Sequence, residues 1–268
     1  MTPFSDLLAQ TVQTSEGQTD QGWASRVSED WLQGRTLYGG LSAALCLNAA
    51  LRTFEDLPPL RSAQFAFVGP ATGEVTAAPS LLRQGKSAAF VAVDLTGEAG
   101  LATRALFTFG AERASAYPVH AALPAPAVPA PGACGPFFAD TRPTFSQHFE
   151  ALNAGGARPV TGARDPDLLA WLRHRDPAAR TGLIPLLALA DATPPAAMSR
   201  FTAPAPISTM TWTVDILDDP DAIGPGGWLL LSSRAETIAH GYSAQAMTLW
   251  TQDGRPLIAA RQCVAVFA

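Results

Sequence analysis

The segment from Leu41 to Leu51 carries no charged side chain and consists mainly of Ala and Leu. These residues favour helix, and the segment is long enough for about three helical turns. A surface helix would show a polar face, whereas this one is apolar nearly all round and must be covered on most sides. Gly39-Gly40 precede it, and Pro58-Pro59 end it because proline cannot continue a helix. The sequence therefore predicts a central buried helix.

Alternating runs typical of strands follow this helix and are separated by Gly-containing turns. They cover Ser62–Val68, Val75–Arg83, Ala88–Thr96 and Leu101–Phe109. A shorter alternating run at residues 22–28 precedes the helix. One helix followed by a meander of long strands predicts an antiparallel sheet wrapped round the helix.

A Pro/Ala-rich stretch at residues 121–133 interrupts this pattern, because its prolines favour an extended chain and block helix and central strand alike. A second apolar helix is predicted at Gly182–Ala192, ended by Pro194-Pro195. Strands are predicted at Phe145–Leu152, Leu168–His174, Ile207–Leu217, Trp228–Ile238, Ser243–Thr251 and Leu257–Phe267; the pattern of Leu168–His174 also fits a helix.

The last three strands of the two halves align at an offset of about 156 residues, so that Gly85 falls on Gly241 and Leu101 on Leu257. We therefore predict an α+β fold of two tandem repeats, each a long buried helix wrapped by a curved antiparallel sheet. The expected division is an N-terminal repeat at residues 1–118, a connector at 119–134 and a C-terminal repeat at 135–268.

Composition excludes several classes of function. The net charge of −5 argues against nucleic-acid binding, which needs a basic surface. Three widely spaced cysteines without a CxxC pair signal neither a disulfide scaffold nor a zinc site. The first 20 residues lack the pattern of a secretory signal, and no apolar run is long enough to span a membrane. We expect a cytoplasmic protein with no cofactor and no bound metal.

Three polar residues stand in apolar segments of the last third of the chain: Asp191, Thr209 and Gln262. A carboxylate, a hydroxyl and an amide could together hold and polarise one water molecule. Each also has an ordinary structural explanation. Asp191 could simply end a helix, Thr209 could be a common strand residue, and Gln262 could face solvent.

Several short motifs occur in a recognisable order. They are Tyr38-Gly39-Gly40 at the first helix, the turn Arg83–Ser87, Leu189-Ala190-Asp191 in the second helix, the turn Thr251–Gly254, and Gln262 in the last strand. Together they resemble the double hotdog proteins of the acyl-CoA thioesterase II type and the broader thioesterase-like superfamily. The resemblance covers roughly residues 20–268.

The resemblance implies an Asp–Thr–Gln catalytic set formed by Asp191, Thr209 and Gln262, an acyl-CoA substrate, and a homo-oligomer. The helix start at Gly39-Gly40 would bind substrate, because free backbone N–H groups and the positive end of a helix suit a thioester carbonyl. The chain departs from the resembling family at one point. Bacterial enzymes of that family carry Asp-His after the strand Thr, whereas Met210 follows Thr209 here, so the acyl group of the substrate stays open.

Thioester hydrolysis by water needs an acceptor for the proton and donors for the developing oxyanion. The chain lacks Gly-x-Ser-x-Gly, and its histidines have no motif context, so a covalent nucleophile is not favoured. The first helix has no acid from Gly40 to Thr53, which places the predicted site in the second repeat alone. Two alternatives stay open, a hotdog hydratase or dehydratase and a non-catalytic acyl-CoA binding module.

Overall fold

The computed structural model describes residues 1–14, 22–119, 123–138, 142–224 and 226–268. Part of the N-terminal segment and residues 120–122 of the expected connector lie outside these ranges. The helices described are α1 (Phe4–Ala9), α2 (Gly39–Thr53) and α3 (Leu183–Ala190). The strands are β1 (Val12–Gln13), β2 (Trp23–Val27), β3 (Leu32–Gln33), β4 (Thr36–Leu37), β5 (Leu60–Phe67), β6 (Gly73–Gln84), β7 (Ala88–Gly97), β8 (Gly100–Gly110), β9 (Phe149–Gly156), β10 (Asp167–His174), β11 (Ile207–Ile216), β12 (Leu229–Ala239), β13 (Tyr242–Thr251) and β14 (Pro256–Val266).

Within the described residues, twelve strands form one large sheet, in the order β1-β2-β6-β7-β8-β5-β11-β14-β13-β12-β10-β9. Neighbouring strands in it run antiparallel. The expectation of an α+β fold with a large antiparallel sheet is confirmed. At the centre β5 pairs with β11, where Phe65 lies opposite Trp212. Read outward from this pair, the strand order is β5-β8-β7-β6 on one side and β11-β14-β13-β12 on the other.

Helix α2 lies against β6, β7, β8 and helix α3. All of its residues from Gly40 to Ala50 are buried, which explains why the segment carries no charge. In the shorter α3 the residues from Leu186 to Ala190 are buried too. One continuous apolar core therefore contains both helices and the inward face of the sheet.

Strand alternation predicted most strand positions to within about two residues, and the ambiguous segment Leu168–His174 is a strand. The prediction for Phe145–Leu152 was wrong at its start, because residues Thr144–His148 form a 3-10 turn and the strand begins at Phe149. In this turn Phe145 stacks on Tyr38 with ring centroids 4.0 Å apart, and His148 stacks on Trp31 at 3.6 Å. Packing across the two halves of the chain thus sets this local conformation.

The N-terminal helix α1 was not predicted from the sequence. Phe4 and Leu7 are buried, and Phe4 packs near Trp31 in the first half and His174 in the second. The Ser5 backbone N–H and hydroxyl both donate to Asp176 Oδ2, at 2.9 and 2.7 Å. A helix of six residues is too short to be stable alone, so these tertiary contacts hold it.

Candidate active site

A cleft of about 390 Å³ lies where the start of α2, the end of α3 and the start of β11 meet. Its lining also includes parts of the β3–β4 hairpin, β5 and β8. Gly39, Asp191 and Thr209 all line it, so the structure brings together three of the predicted site residues. Among the described lining residues Asp191 is the only one with a charged side chain. Within the described lining, the charge of the cleft therefore comes from that carboxyl group.

Asp191 caps the C-terminal end of α3 and is partly exposed at the cleft wall. The negative end of a helix is an unfavourable place for an ionised carboxylate. Burial raises the pKa of Asp191 to about 7, although hydrogen bonds from the Gln262 side chain and the Gly40 backbone N–H act in the opposite direction. At neutral pH the group therefore exists in both protonation states, as suits a general base.

Gln262 faces the inside of the sheet and is buried, contrary to the explanation that it faces solvent. It lies opposite Trp212 of β11 on one side and Gln245 of β13 on the other. Its amide Nε2 donates to Asp191 Oδ1 at 2.8 Å. The predicted pair of carboxylate and amide is thus in direct contact, with the amide behind the carboxylate rather than in the described lining of the cleft.

Gln245 is a member of this network that the sequence analysis missed. Its Nε2 donates to Gln262 Oε1 at 2.6 Å, and its Oε1 accepts from the Ala196 backbone N–H at 3.0 Å. The alternation of β13 could have identified it, since Gln245 is a polar residue at an inward-facing position between Ser243 and Met247.

Thr209 lies near the start of β11 and lines the same cleft as Asp191. The pairing of β11 with β14 shifts by one residue between Thr209 and Thr211, so that Met210 is an extra residue in the strand. Among the described residues no hydrogen bond joins Thr209 to Asp191 or Gln262. Thr209 therefore belongs to the described lining of the cleft but not to the network behind it.

Gly39 and Gly40 allow helices α2 and α3 to approach closely. A Cβ atom on Gly40 would lie 2.4 Å from the Ala188 carbonyl oxygen, and one on Gly39 would lie 2.8 Å from Asp191 Oδ2. At Gly40 the contact is with a backbone atom, so only glycine fits there, whereas a Cβ at Gly39 would require the Asp191 carboxyl group to shift. The Tyr38 hydroxyl donates to the same Ala188 oxygen at 2.7 Å. This oxygen belongs to one of the last carbonyls of α3, which have no partner inside the helix.

Among the residues that the structure describes, no cluster of His, Cys, Asp and Glu side chains is arranged to hold a metal ion. No helix in the described ranges is long and apolar enough to cross a membrane. The site offers one carboxyl group of raised pKa, the Gln262 amide, residues with hydroxyl groups, and the start of α2.

Comparison with protein families identifies the class to which this fold and site belong. Residues 27–110 match the model of the acyl-CoA thioesterase N-terminal domain, and residues 121–266 match that of the acyl-CoA thioesterase C-terminal domain. The protein is therefore a thioester hydrolase with an acyl-CoA substrate. More particularly, the chain belongs to the acyl-CoA thioesterase family.

Solved structures share the fold over nearly the whole chain. A hot dog fold protein of unknown function from Alicyclobacillus acidocaldarius has 26% identity and a TM-score of 0.86, covering 99% of this chain and 98% of its own. An acyl-CoA thioesterase II from Mycobacterium marinum has 15% identity and a TM-score of 0.73, covering 97% and 96%. A dehydratase domain from Pseudomonas fluorescens has 15% identity and a TM-score of 0.55, covering 94% and 96%. No protein of curated function matches the chain in sequence.

Proposed function

We propose that this chain hydrolyses acyl-CoA to a free acid and coenzyme A by means of a water molecule activated by Asp191, with Thr209 and Gln262 completing the catalytic set. The observation that carries the proposal is the hydrogen bond from Gln262 to an Asp191 carboxylate that faces the cleft. Family membership fixes the class of reaction but not these residues.

The two carboxylate oxygens of Asp191 have different surroundings. Oδ1 accepts from Gln262, whereas Oδ2 lies beside Gly39, which lines the cleft. We assign Oδ2 to the attacking water, because Oδ1 is engaged by Gln262 and Oδ2 lies beside a residue of the cleft lining. The water gives its proton to this oxygen as it attacks the thioester carbonyl carbon. Gln262 holds the carboxylate in the orientation that this transfer needs.

Thr209 and the start of α2 complete the site on the substrate side. Thr209 lines the cleft with Asp191, and we assign its hydroxyl to the same water, to which it can donate a hydrogen bond or from which it can accept one. Gly39 lines the cleft at the N-terminal end of α2, where the helix dipole stabilises negative charge, while the next N–H group, that of Gly40, donates to Asp191. We assign this helix start to the carbonyl oxygen of the thioester, with the nucleotide at the surface.

We also propose that the two halves are tandem hotdog repeats divided by the connector at residues 119–134. The two family models support a division into two halves, because one ends at residue 110 and the next begins at residue 121, which lies within the proposed connector. The mirrored strand order on either side of the β5–β11 pair supports it as well. Association into a homo-oligomer and a cytoplasmic location remain proposals, and sedimentation of the purified protein tests the former.

The alternative of a hydratase or dehydratase would require a histidine at the reacting carbon. Among the described residues, no histidine lines the cleft. His148 is stacked on Trp31, and His174 Nε2 lies 2.8 Å from the Pro185 carbonyl oxygen, which binds it within the core. The contacts of these two histidines therefore favour hydrolysis.

The decisive test is release of free thiol from a panel of acyl-CoAs of different chain lengths, with the acid product identified by mass spectrometry. We expect release of thiol and acid in equal amounts for at least one member. A non-catalytic binding module would instead show thermal stabilisation by acyl-CoA without thiol release. Formation of an enoyl or hydroxyacyl thioester, with coenzyme A still attached, would identify the dehydratase class.

A further inference from the structure

We propose that Gln245 is a positioning residue, which acts through Gln262 to fix the orientation of Asp191. This inference rests on the proposed function and extends it to a residue that touches neither the carboxylate nor the described cleft. The chain of contacts runs from the Ala196 backbone N–H to Gln245, from Gln245 to Gln262, and from Gln262 to Asp191.

The direction of this chain follows from the Ala196 backbone N–H, which can only donate. It therefore selects the carbonyl oxygen of the Gln245 side chain, at 3.0 Å. A carboxamide has one oxygen and one NH₂ group, so its NH₂ must then face Gln262. Gln262 meets this donor with its own oxygen, at 2.6 Å, and turns its NH₂ to Asp191. One fixed backbone donor thus sets the orientation of both amides.

The opposite orientation of Gln262 would be harmful to the reaction. Its carbonyl oxygen would then face Asp191 Oδ1 and would disfavour the ionised carboxylate. An ionised Asp191 is the form that accepts a proton from water. Without Gln245, the Gln262 amide is free to rotate, and protonated Asp191 can donate to the Gln262 oxygen. The pKa of Asp191 should then rise above its value of about 7.

The surroundings of Gln245 favour this role over simple packing. The side chain is 1% exposed, on a strand whose inward positions farther along are the apolar Met247 and Leu249. Leu or Met would fill such a position without the cost of burying an amide. Both polar ends of Gln245 have partners, and both partners belong to the path from Ala196 to Asp191.

The test compares the wild-type protein with Gln245→Met, which keeps the size of the side chain but removes the amide. Ser243→Ala is the matched control, because Ser243 lies two residues earlier on the same face of the strand and its buried hydroxyl has no partner in the described residues. We expect kcat to fall about 10- to 100-fold in Gln245→Met. The KM of Gln245→Met should stay within about twofold of the wild-type value. Ser243→Ala should match the wild type in both kcat and KM.

A titration of the Asp191 carboxyl carbon by NMR provides a readout that does not need turnover. We expect a higher pKa for Asp191 in Gln245→Met than in the wild type and an unchanged pKa in Ser243→Ala. Should Gln245→Met fail to fold, Gln245→Glu keeps the size and the acceptor for Ala196. Once the new glutamate is ionised, its side chain has no donor for the Gln262 oxygen. We therefore expect the same rise in the pKa of Asp191 at alkaline pH.

A double-mutant cycle with Gln262→Met separates positioning from packing. If Gln245 acts through Gln262, its substitution should cost little further kcat once Gln262 is already replaced. Equal costs in both backgrounds, or an unchanged Asp191 pKa in Gln245→Met, would overturn the inference. Absence of thiol release from the wild type would instead overturn the proposed function, while the titration would still decide the role of Gln245.

Discussion

The Gln262 amide donates to the Asp191 carboxylate across 71 residues of sequence, with a nitrogen-to-oxygen distance of 2.8 Å. This contact joins the last strand to the end of α3 at the wall of the cleft. It gives a half-buried carboxylate a partner, and yet the loss of solvent around it still raises the pKa of Asp191 to about 7. Perturbed carboxyl groups of this kind, placed in clefts, are characteristic of functional sites.

The pH dependence of stability should reflect Asp191. Its pKa is about 7 in the folded protein and 3.8 in the unfolded chain, so the folded protein binds this proton more tightly. The free energy of unfolding should therefore decrease as pH rises from about 4 to about 7 and show no further loss from this group above that range. The Asp191→Asn variant has no carboxyl group at this position, so its stability lacks this dependence on pH.

Thermal unfolding of both proteins across this pH range provides the measurement. The Tm of Asp191→Asn relative to the wild type should increase with pH and become constant above about 7. In the wild type, kcat/KM should rise with pH in the same interval, because the base must be ionised. A Tm difference that is the same at every pH would show that Asp191 has an ordinary pKa.

Thr209→Val should lower kcat by about tenfold, since it removes one hydrogen bond to the water or thioester. It keeps the shape of the side chain, so the free energy of unfolding should change by less than about 0.5 kcal/mol. Thr211→Val is the matched control, because Thr211 is exposed on the same strand and does not line the cleft. Equal activities of the two variants would exclude a role for the Thr209 hydroxyl.

Gly40→Ala should destabilise the fold by about 1–3 kcal/mol, because its Cβ would lie 2.4 Å from the Ala188 oxygen and force α2 and α3 apart. Gly39→Ala should mainly reduce kcat, since its Cβ would displace Asp191 Oδ2. Chemical denaturation and thiol release measure the two effects. Gly132→Ala is the control, with no atom within 4 Å of the added Cβ. A stable and fully active Gly39→Ala would refute the assigned position of Oδ2.

Tyr38→Phe should destabilise the protein by about 1–3 kcal/mol, because the Ala188 carbonyl at the end of α3 would lose its hydroxyl donor. Burial and the charge of Asp191 both raise the pKa of Tyr38, so the hydroxyl stays protonated as this donor requires. Tyr117→Phe, at a position with 92% exposure, should leave the free energy of unfolding unchanged. Equal midpoints in urea for the two variants would contradict the assignment.

The sequence predicted those parts of the fold that depend on local pattern. The uncharged run from Leu41 to Leu51 is a buried helix because it packs between the sheet and α3. Strand alternation located most strands because one face of the sheet packs into the main core, whereas much of the other face is partly or fully exposed. Helix α1 escaped this reasoning because its stability comes from contacts such as Ser5 with Asp176, which are 171 residues apart.

The site was predictable to the level of residue types but not of roles. Asp191 and Gln262 stood out as polar residues in apolar segments, and they are in contact. The contact of Gln245 with Ala196 depends on the register of β13 and on the 3-10 turn after α3, and neither follows from local pattern. The extra residue Met210, which lies where the resembling family has Asp-His, likewise requires the pairing of β11 with β14.

Thiol release by Asp191→Asn, compared with the wild type at the same pH, tests the central claim most directly. Asn has the shape of Asp but cannot take a proton from water, so kcat should fall by about 100-fold or more while the protein stays folded. Burst kinetics with the wild type should show no acyl-enzyme intermediate. An Asp191→Asn protein that is folded and retains wild-type kcat would contradict the account.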